Sequence, residues 1–307
     1  MNYENRLIAF IDILGFKEIV RSSETDDSKI ELLYSVLEYL KKWEVPKNWN
    51  LRLVEIEEDA QKKGVENFDI RGKTNSTSFS DSIVVSVRVD NNINEMASTL
   101  IANLAFIGAV LFEKGILLRG GITIGNLIHN ENGTVFGQGL IDAYQLESNN
   151  AKFPRIILSN KLIKELNYPL EFKRNRYPYH QYIERFNDGC TGFHQMIYFQ
   201  VMESWPEMTD EKLKTSLGKI RKIIVQGLDT SFENPAVFEK YKWLKEQYNK
   251  LIILNDFDFE TKTNENIKMQ IRELNEGIYG NNIHFKFTDE FYESNRKGKN
   301  RIIKTTP

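Results

Sequence analysis

Leu7-Ile8-Ala9-Phe10-Ile11-Asp12-Ile13-Leu14-Gly15-Phe16 sets an aspartate inside an apolar run close to the amino terminus. Residues 6–13 read as a buried strand, and Gly15 then allows a tight turn. A second aspartate has a matching setting. Phe79-Ser80-Asp81-Ser82 stands directly ahead of Ile83, Val84, Val85 and Val87. A carboxylate at the edge of a core strand is costly to desolvate unless a cation or a hydrogen-bond donor meets it. Two such carboxylates, brought together by a sheet, can hold the pair of divalent ions that phosphoryl transfer uses.

Outward from Asp12, residues Ile30–Trp43 carry Leu32, Leu33, Val36, Leu37 and Leu40 at helical spacing. Residues 44–76 are polar and weakly periodic, and read as irregular or partly helical. Thr77–Ser80 and Ile83–Val89 form a strand pair around Asp81. Met96, Leu100, Leu104, Ile107 and Leu111 predict a helix over about 93–113, closed by Gly115. A strand over 116–125 follows and continues into Glu131-Asn132-Gly133, a hairpin signal. A helix over 137–149, a strand over 155–158 and a short helix capped by Ser159 complete the series.

The order is β-α-β-β-α-β-β-α-β. It predicts an α+β fold, a ferredoxin-like split sheet with crossover helices, complete by about residue 165. Residues 166–307 read as a mostly helical extension that packs on the first domain. Its helices span about 210–227 and 235–254, with Pro235 in the first turn of the second. Between them and residue 165 lie an aromatic, charged stretch (172–186) and an apolar segment (195–201). The tail 295–304 is basic and reads as solvated and mobile.

The 307 residues are 41% apolar and 12% aromatic, enough for a real core, and the formal net charge is −2. No basic field points to nucleic acid or to an anionic membrane. Cys190 is the only cysteine, which suits a reducing cytoplasm, and no signal segment is evident. Apolar runs such as 104–112 fall short of the ~20 residues that span a bilayer. His129, His180, His194 and His284 have no ligand spacing, so a zinc site is not expected.

If the first strand and the hairpin lie side by side, Asp12 and Asp81 repel, and a divalent cation resolves the repulsion. Mg²⁺ or Mn²⁺ would bind through these oxygens and keep positions for water and phosphates. The Leu14-Gly15-Phe16 turn would offer backbone amides to a polyphosphate. No Gly-Lys-Ser/Thr phosphate loop and no Gly-x-Gly-x-x-Gly fingerprint is present. The chemistry implied is metal-assisted attack on a phosphate.

These residues also carry a resemblance. Phe10-x-Asp12-Ile13-x-Gly15-Phe16, Phe79-Ser80-Asp81, Arg119-Gly120-Gly121-Ile122-x-x-Gly125, Phe136-Gly137 with Ala143-x-x-Leu146-Glu147, and Ile156-x-Leu158-Ser159 occur in that order. Together they resemble the class III nucleotidyl cyclase catalytic domain over roughly residues 5–160. The resemblance implies two metals held by Asp12, Asp81 and the backbone carbonyl of Ile13. The ribose 3′-oxygen of a nucleoside triphosphate would attack the α-phosphorus, and diphosphate would leave. It implies a head-to-tail homodimer, with the aspartates of one subunit facing about 119–155 of the other.

Departures from the usual pattern refine the expectation. Thr77 and Thr134 stand at the base-selecting positions, where adenine recognition would call for Lys or Asp. Ile141 and Gln145 stand where the transition-state Asn and Arg usually sit. The run Gly137-Gln138-Gly139-Leu140 through Ala143-Tyr144-Gln145-Leu146-Glu147 is similar to the pyrimidine cyclases of bacterial Pycsar anti-phage systems. That implies cyclic UMP or cyclic CMP made from UTP or CTP with Mn²⁺ or Mg²⁺. It also implies a cytoplasmic enzyme whose diffusible product reaches a separate effector protein. A purine cyclase and a degenerate regulatory module of the same fold are the alternatives.

Each residue also has a plainer reading. Asp12 alone could cap a following helix, and Asp81 alone could be a turn residue. Gly120 and Gly121 read as close-packing glycines. Arg119 reads as an ion-pair residue or a phosphate contact. Lys152 and Arg155 suit the end of the 137–149 helix, or a triphosphate across the interface. Asp142 and Glu147 read as solvated helix residues. Tyr177, Tyr179, Tyr182 and Phe186 read as packing between the two halves.

Overall fold

Leu7, Ala9, Ile11 and Ile13 alternate with Arg6, Ile8, Phe10 and Asp12, so one strand presents an apolar face and a mixed one. In the computed structural model, which describes residues 2–42, 74–89, 93–166, 183–202, 210–254, 293–296 and 299–302, this strand, β1 (Glu4–Leu14), is central to the sheet. Helices α1 (Phe16–Ser23) and α2 (Asp27–Lys42) lead towards the hairpin β2 (Thr74–Phe79) and β3 (Ser82–Arg88). Then come α3 (Ile93–Phe112), β4 (Leu117–His129), β5 (Val135–Phe136), α4 (Gln138–Asn150), β6 (Arg155–Leu158) and α5 (Asn160–Glu165).

The chain continues through β7 (Glu184–Arg185), β8 (Thr191–His194), α6 (Ile197–Met202), α7 (Asp210–Thr230) and α8 (Pro235–Leu254). A separate two-stranded ribbon, β9 (Glu293–Arg296) and β10 (Lys299–Ile302), falls within the tail read as mobile.

The main sheet runs β2-β3-β1-β4-β6-β8-β7, with β5 paired to β4. Strand β1 is antiparallel to both β3 and β4. Strands β3 and β4 therefore run parallel, joined by α3, with β1 between them. This is the split β-α-β unit of the expected α+β fold. Strand β6 is parallel to β4, as a helical crossover through α4 requires.

The apolar face of β1 joins one large core. Leu7, Ile11, Val85, Leu104 and Leu118 pack there with Leu217 and Ile220 of α7 and Leu244 and Leu251 of α8. The mixed face is covered more thinly, by Ile8, Val84, Leu127 and Ala143 with Phe10, Val135 and Leu140 at the edge.

Two expectations are corrected here. The sheet does not end at residue 165: Thr191–His194 add an antiparallel strand to β6, register Arg155↔His194 to Leu158↔Thr191. Its four residues, Thr-Gly-Phe-His, are too few for a period to show. Helix α1 was also not expected, although Phe16, Ile19 and Val20 stand at i, i+3 and i+4, and Phe16 and Ile19 pack on the core. Residues 43–73 and the tyrosines at 177, 179 and 182 lie outside the described residues.

Candidate active site

The tip of the β2–β3 hairpin is tied to the end of β1, and this gathers the two aspartates. Ser80 and Asp81 form the two-residue turn, with Ser80 at a φ of 55°. A positive φ at the first turn residue matches the twist of the flanking strands. The Ile13 amide donates to the Asp81 carbonyl at 3.0 Å. Asp12 lies opposite Ser82, whose hydroxyl donates to Asp12 Oδ1 at 3.4 Å.

Strand β4 supplies a counter-charge. Arg119 lies opposite Asp12, and its Nε–H donates to Asp12 Oδ2 at 2.8 Å. The same Nε is 2.6 Å from Glu147 Oε1 on α4. An Nε carries one hydrogen, directed at Asp12, so one guanidinium is shared as the counter-charge of both carboxylates. The Glu147 side chain is 3% exposed and that of Asp12 13%. Burial pushes both carboxyls above their ordinary range, Arg119 pulls them down, and Asp81 pushes each up again. The three carboxylates thus share one electrostatic neighbourhood that the guanidinium does not neutralise. Lys240 of α8 belongs to it too. Burial, then Arg119, holds its ammonium below the usual range, while Asp12 and Glu18 act the other way.

Two rows along the same face, a chain of hydrogen bonds crosses three strands. His129 Nδ1 lies 2.8 Å from Ser86 Oγ, and Nε2 lies 2.9 Å from Thr77 Oγ1. The Thr77 hydroxyl is also 3.2 Å from the Gly133 carbonyl, which only accepts. Thr77 must therefore donate to Gly133, His129 must carry its proton on Nε2, and Ser86 must donate to Nδ1. Burial, with help from the nearby Arg6, holds His129 neutral, its pKa lowered to about 4. Thr77 is left with acceptor capacity only. Arg6 donates to the His129 carbonyl at 3.4 Å and also bonds Glu4 and Asn75.

The other residues singled out from the sequence are placed as follows. Gly15 adopts a φ of 75° and turns the chain into α1, whose first amides have no side-chain cap. The Phe16 ring packs against the large core, so only its backbone faces the turn. Thr134 is exposed in the β4–β5 hairpin, and its amide donates to Asn132 Oδ1 at 3.1 Å. Ile141, 48% exposed, lies with Tyr144 and Gln145 on the outer side of α4. Lys152 is exposed past the end of that helix.

A triphosphate role for Arg155 does not survive. Its guanidinium is 1% exposed, pairs with Asp188, and lies 4.6 Å from the Phe186 ring centroid and 5.9 Å from that of Trp243. It lies at the start of the interior strand β6, among the rings of Phe153, Phe186 and Trp243 of α8. Glu147 is corrected in the opposite sense, from solvated to buried. The signal was present: Glu147 follows Ala143 by four residues, so it shares the helix face that packs on the sheet. His129 and Lys240 gave no comparable signal.

The donor set is all oxygen, which suits Mg²⁺ or Mn²⁺. Among the described residues, no group of three or more His, Cys, Asp or Glu is arranged to cage a metal. Two carboxylates and a carbonyl nonetheless fit ions that keep several waters and bind substrate phosphates. Asp12, Asp81 and Glu147 gathered around the one guanidinium favour a further positive charge.

No family profile and no curated protein sequence matches this chain. Among solved structures, it is similar to the catalytic core of a rhodopsin-guanylyl cyclase with converted specificity, in complex with ATPαS. That likeness has 14% identity and a TM-score of 0.36, covering 63% of this chain and 97% of that one. It is also similar to a class III adenylyl cyclase-like ATP-binding protein from Pseudomonas aeruginosa, at 12% identity and a TM-score of 0.37. There 76% of this chain is covered, and 44% of that one. At such TM-scores neither likeness adds weight to the reading of the site.

Proposed function

We propose that this chain is a nucleotide cyclase whose substrate is a pyrimidine nucleoside triphosphate, UTP or CTP. The observation that carries the reading is the Ile13–Asp81 hydrogen bond, which brings a second carboxylate to an Asp12 already raised by burial. Asp12, Asp81 and the Ile13 carbonyl would hold divalent ions, Mn²⁺ or Mg²⁺, which neutralise the triphosphate and acidify the ribose 3′-hydroxyl. The 3′-hydroxyl would lose its proton to solvent water, its oxygen would bond to the α-phosphorus, the α–β phosphoanhydride bond would break, and diphosphate would leave.

The protein's own groups serve this chemistry. Asp12 and Asp81 concentrate negative charge at one sheet end. The uncapped amides of α1, opening just after Gly15, favour phosphate at the same end. Thr77 stands on the same face, two residues before Phe79, and presents an acceptor to a base N–H. A hydroxyl-lined position suits a small base. The exposed side of α4, with Ile141, Tyr144 and Gln145, would complete the site of a second subunit in a head-to-tail homodimer. Lys152 and Thr134 flank that surface. The product would act as a diffusible second messenger on a separate effector in anti-phage defence.

Incubating the protein with ATP, GTP, CTP and UTP separately, with Mn²⁺, and weighing the products tests this. Cyclic UMP or CMP with diphosphate supports the reading, and Asp12→Ala and Asp81→Ala should each abolish it. A cyclic purine product would keep the chemistry and overturn the base assignment. Absence of any product from the four would overturn the enzyme reading in favour of a nucleotide-binding module.

A further inference from the structure

Arg119, the guanidinium beside the paired aspartates, serves as counter-charge to Asp12 and Glu147. A triphosphate at that sheet end needs positive charge of its own. We propose that Lys240 of α8 is a substrate-binding residue of the same site, its ammonium donating to the phosphates of a bound nucleoside triphosphate. The proposal rests on the nucleotide reading above, and it gives a helix of the carboxy-terminal half a part in the site.

On α8, Trp243 is 9% exposed and Leu244 fully buried, and Lys240 stands three and four residues before them on that side of the helix. A long-stemmed lysine beside an apolar stripe is ordinary, so its surroundings decide its role. The charges that act on it are those of Arg119 of β4, Asp12 of β1 and Glu18 of α1. These three elements meet at one end of the sheet, where Asp12 pairs with Arg119 and Gly15 turns the chain into α1. Helix α8 thus brings Lys240 to the end of the sheet that holds Asp12 and the uncapped amides of α1.

Among the described residues Lys240 makes no hydrogen bond and no ion pair, whereas on the same helix Lys242 pairs with Glu239 at 3.6 Å and Lys250 with Glu184. A half-buried ammonium without a carboxylate pays a desolvation cost that anionic oxygens of a ligand would offset. The charge balance favours it as well. A fully ionised triphosphate together with Asp12 and Asp81 carries more negative charge than two divalent ions and Arg119 carry positive. An ammonium has three donors and no fixed fork, so it meets phosphate oxygens in more than one arrangement.

The test is calorimetric titration of the whole protein, with Mn²⁺ present, by the 3′-deoxy forms of UTP, CTP, ATP and GTP. These lack the attacking hydroxyl, so binding is read without turnover. Lys240→Met should weaken the binding of whichever nucleotide the wild type takes by about tenfold, as expected for a hydrogen bond to a charged group. Lys240→Arg should recover most of the affinity, and Lys242→Met should leave it within about twofold. In Lys240→Met, Mn²⁺ affinity without nucleotide should not fall. Its thermal unfolding midpoint should hold or rise, since an unpartnered ammonium is removed. Unchanged nucleotide affinity in Lys240→Met would overturn the proposal and leave the nucleotide reading standing. An equal loss in Lys242→Met would overturn it as a general charge effect. A loss that comes with weaker Mn²⁺ binding or a lower midpoint would overturn it as a structural one. If the wild type binds none of the four nucleotides, the nucleotide reading fails first, and this proposal with it.

Discussion

His129 makes both of its ring nitrogens useful without ever being charged at neutral pH. Its folded pKa of about 4 lies below the ordinary 6.5. Between those values the unfolded chain binds a proton that the folded chain does not, so stability rises with pH through this window. The contribution is complete above pH 6.5 and is lost as pH falls through 4. A shift of this size corresponds to about 3 kcal/mol. Denaturant unfolding at pH 7 and 4.5 should show wild type losing about 2 to 3 kcal/mol more than His129→Gln, the raised Asp12 and Glu147 being common to both. Parallel losses in the two proteins would remove His129 as the titrating group. Glu184 does not confuse the comparison. Burial would raise it, but His194 and Lys250 hold it at about 2, so its loss begins below pH 4.5. Asp12 and Arg119 show the limit of legibility at this scale. The setting of Asp12 could be read from its neighbours, whereas its partner lies 107 residues away.

At the scale of the element, α4 decides whether the site exists. The helix approaches β4 at Gly121, where an added Cβ would stand 2.8 Å from the Ala143 carbonyl and 3.0 Å from Leu146. The helix also delivers Glu147 to Arg119, so its distance from the sheet sets that contact. Gly121→Val should push α4 outward, at a cost of about 1 to 3 kcal/mol, seen as a lower midpoint in thermal unfolding. An unchanged midpoint would mean that the helix can shift without loss, and the close approach would then carry no structural weight. The sequence reading placed α4 over 137–149, close to the observed Gln138–Asn150. Glu147 shares the face of buried Ala143, but its charge argued for solvent, and only the presence of Arg119 beneath the helix reverses that argument.

For the whole molecule, the two halves share one core. Leu213, Leu217, Ile220 and Ile224 of α7, and Leu244 and Leu251 of α8, are buried in the cluster that includes Leu7 and Ile11 of β1. Six such aliphatic side chains are worth roughly 9 to 18 kcal/mol when buried, comparable with the entire stability of an ordinary domain. Lys250 adds a 2.5 Å contact to Glu184, joining α8 to β7. A fragment of residues 1–165 would expose that surface and lose β8. It should be insoluble or unfolded by circular dichroism, and a soluble, cooperatively folded fragment would refute the shared core.

By itself the sequence determined most strands and helices up to residue 165, though not α1, together with the split β-α-β order and the desolvation problem posed by Asp12 and Asp81. These are local properties: residue period, turn chemistry and the polarity of immediate neighbours act within a few residues. Tertiary structure alone decided that Asp12 faces Arg119, that Glu147 is buried beside them and that His129 wires Thr77 to Ser86. It alone decided, too, that Arg155 lies among aromatic rings instead of facing a ligand, and that the short strand 191–194 joins the sheet. Each of these depends on which distant segments share a face. That choice is set by the packing of the whole core, which no local period records.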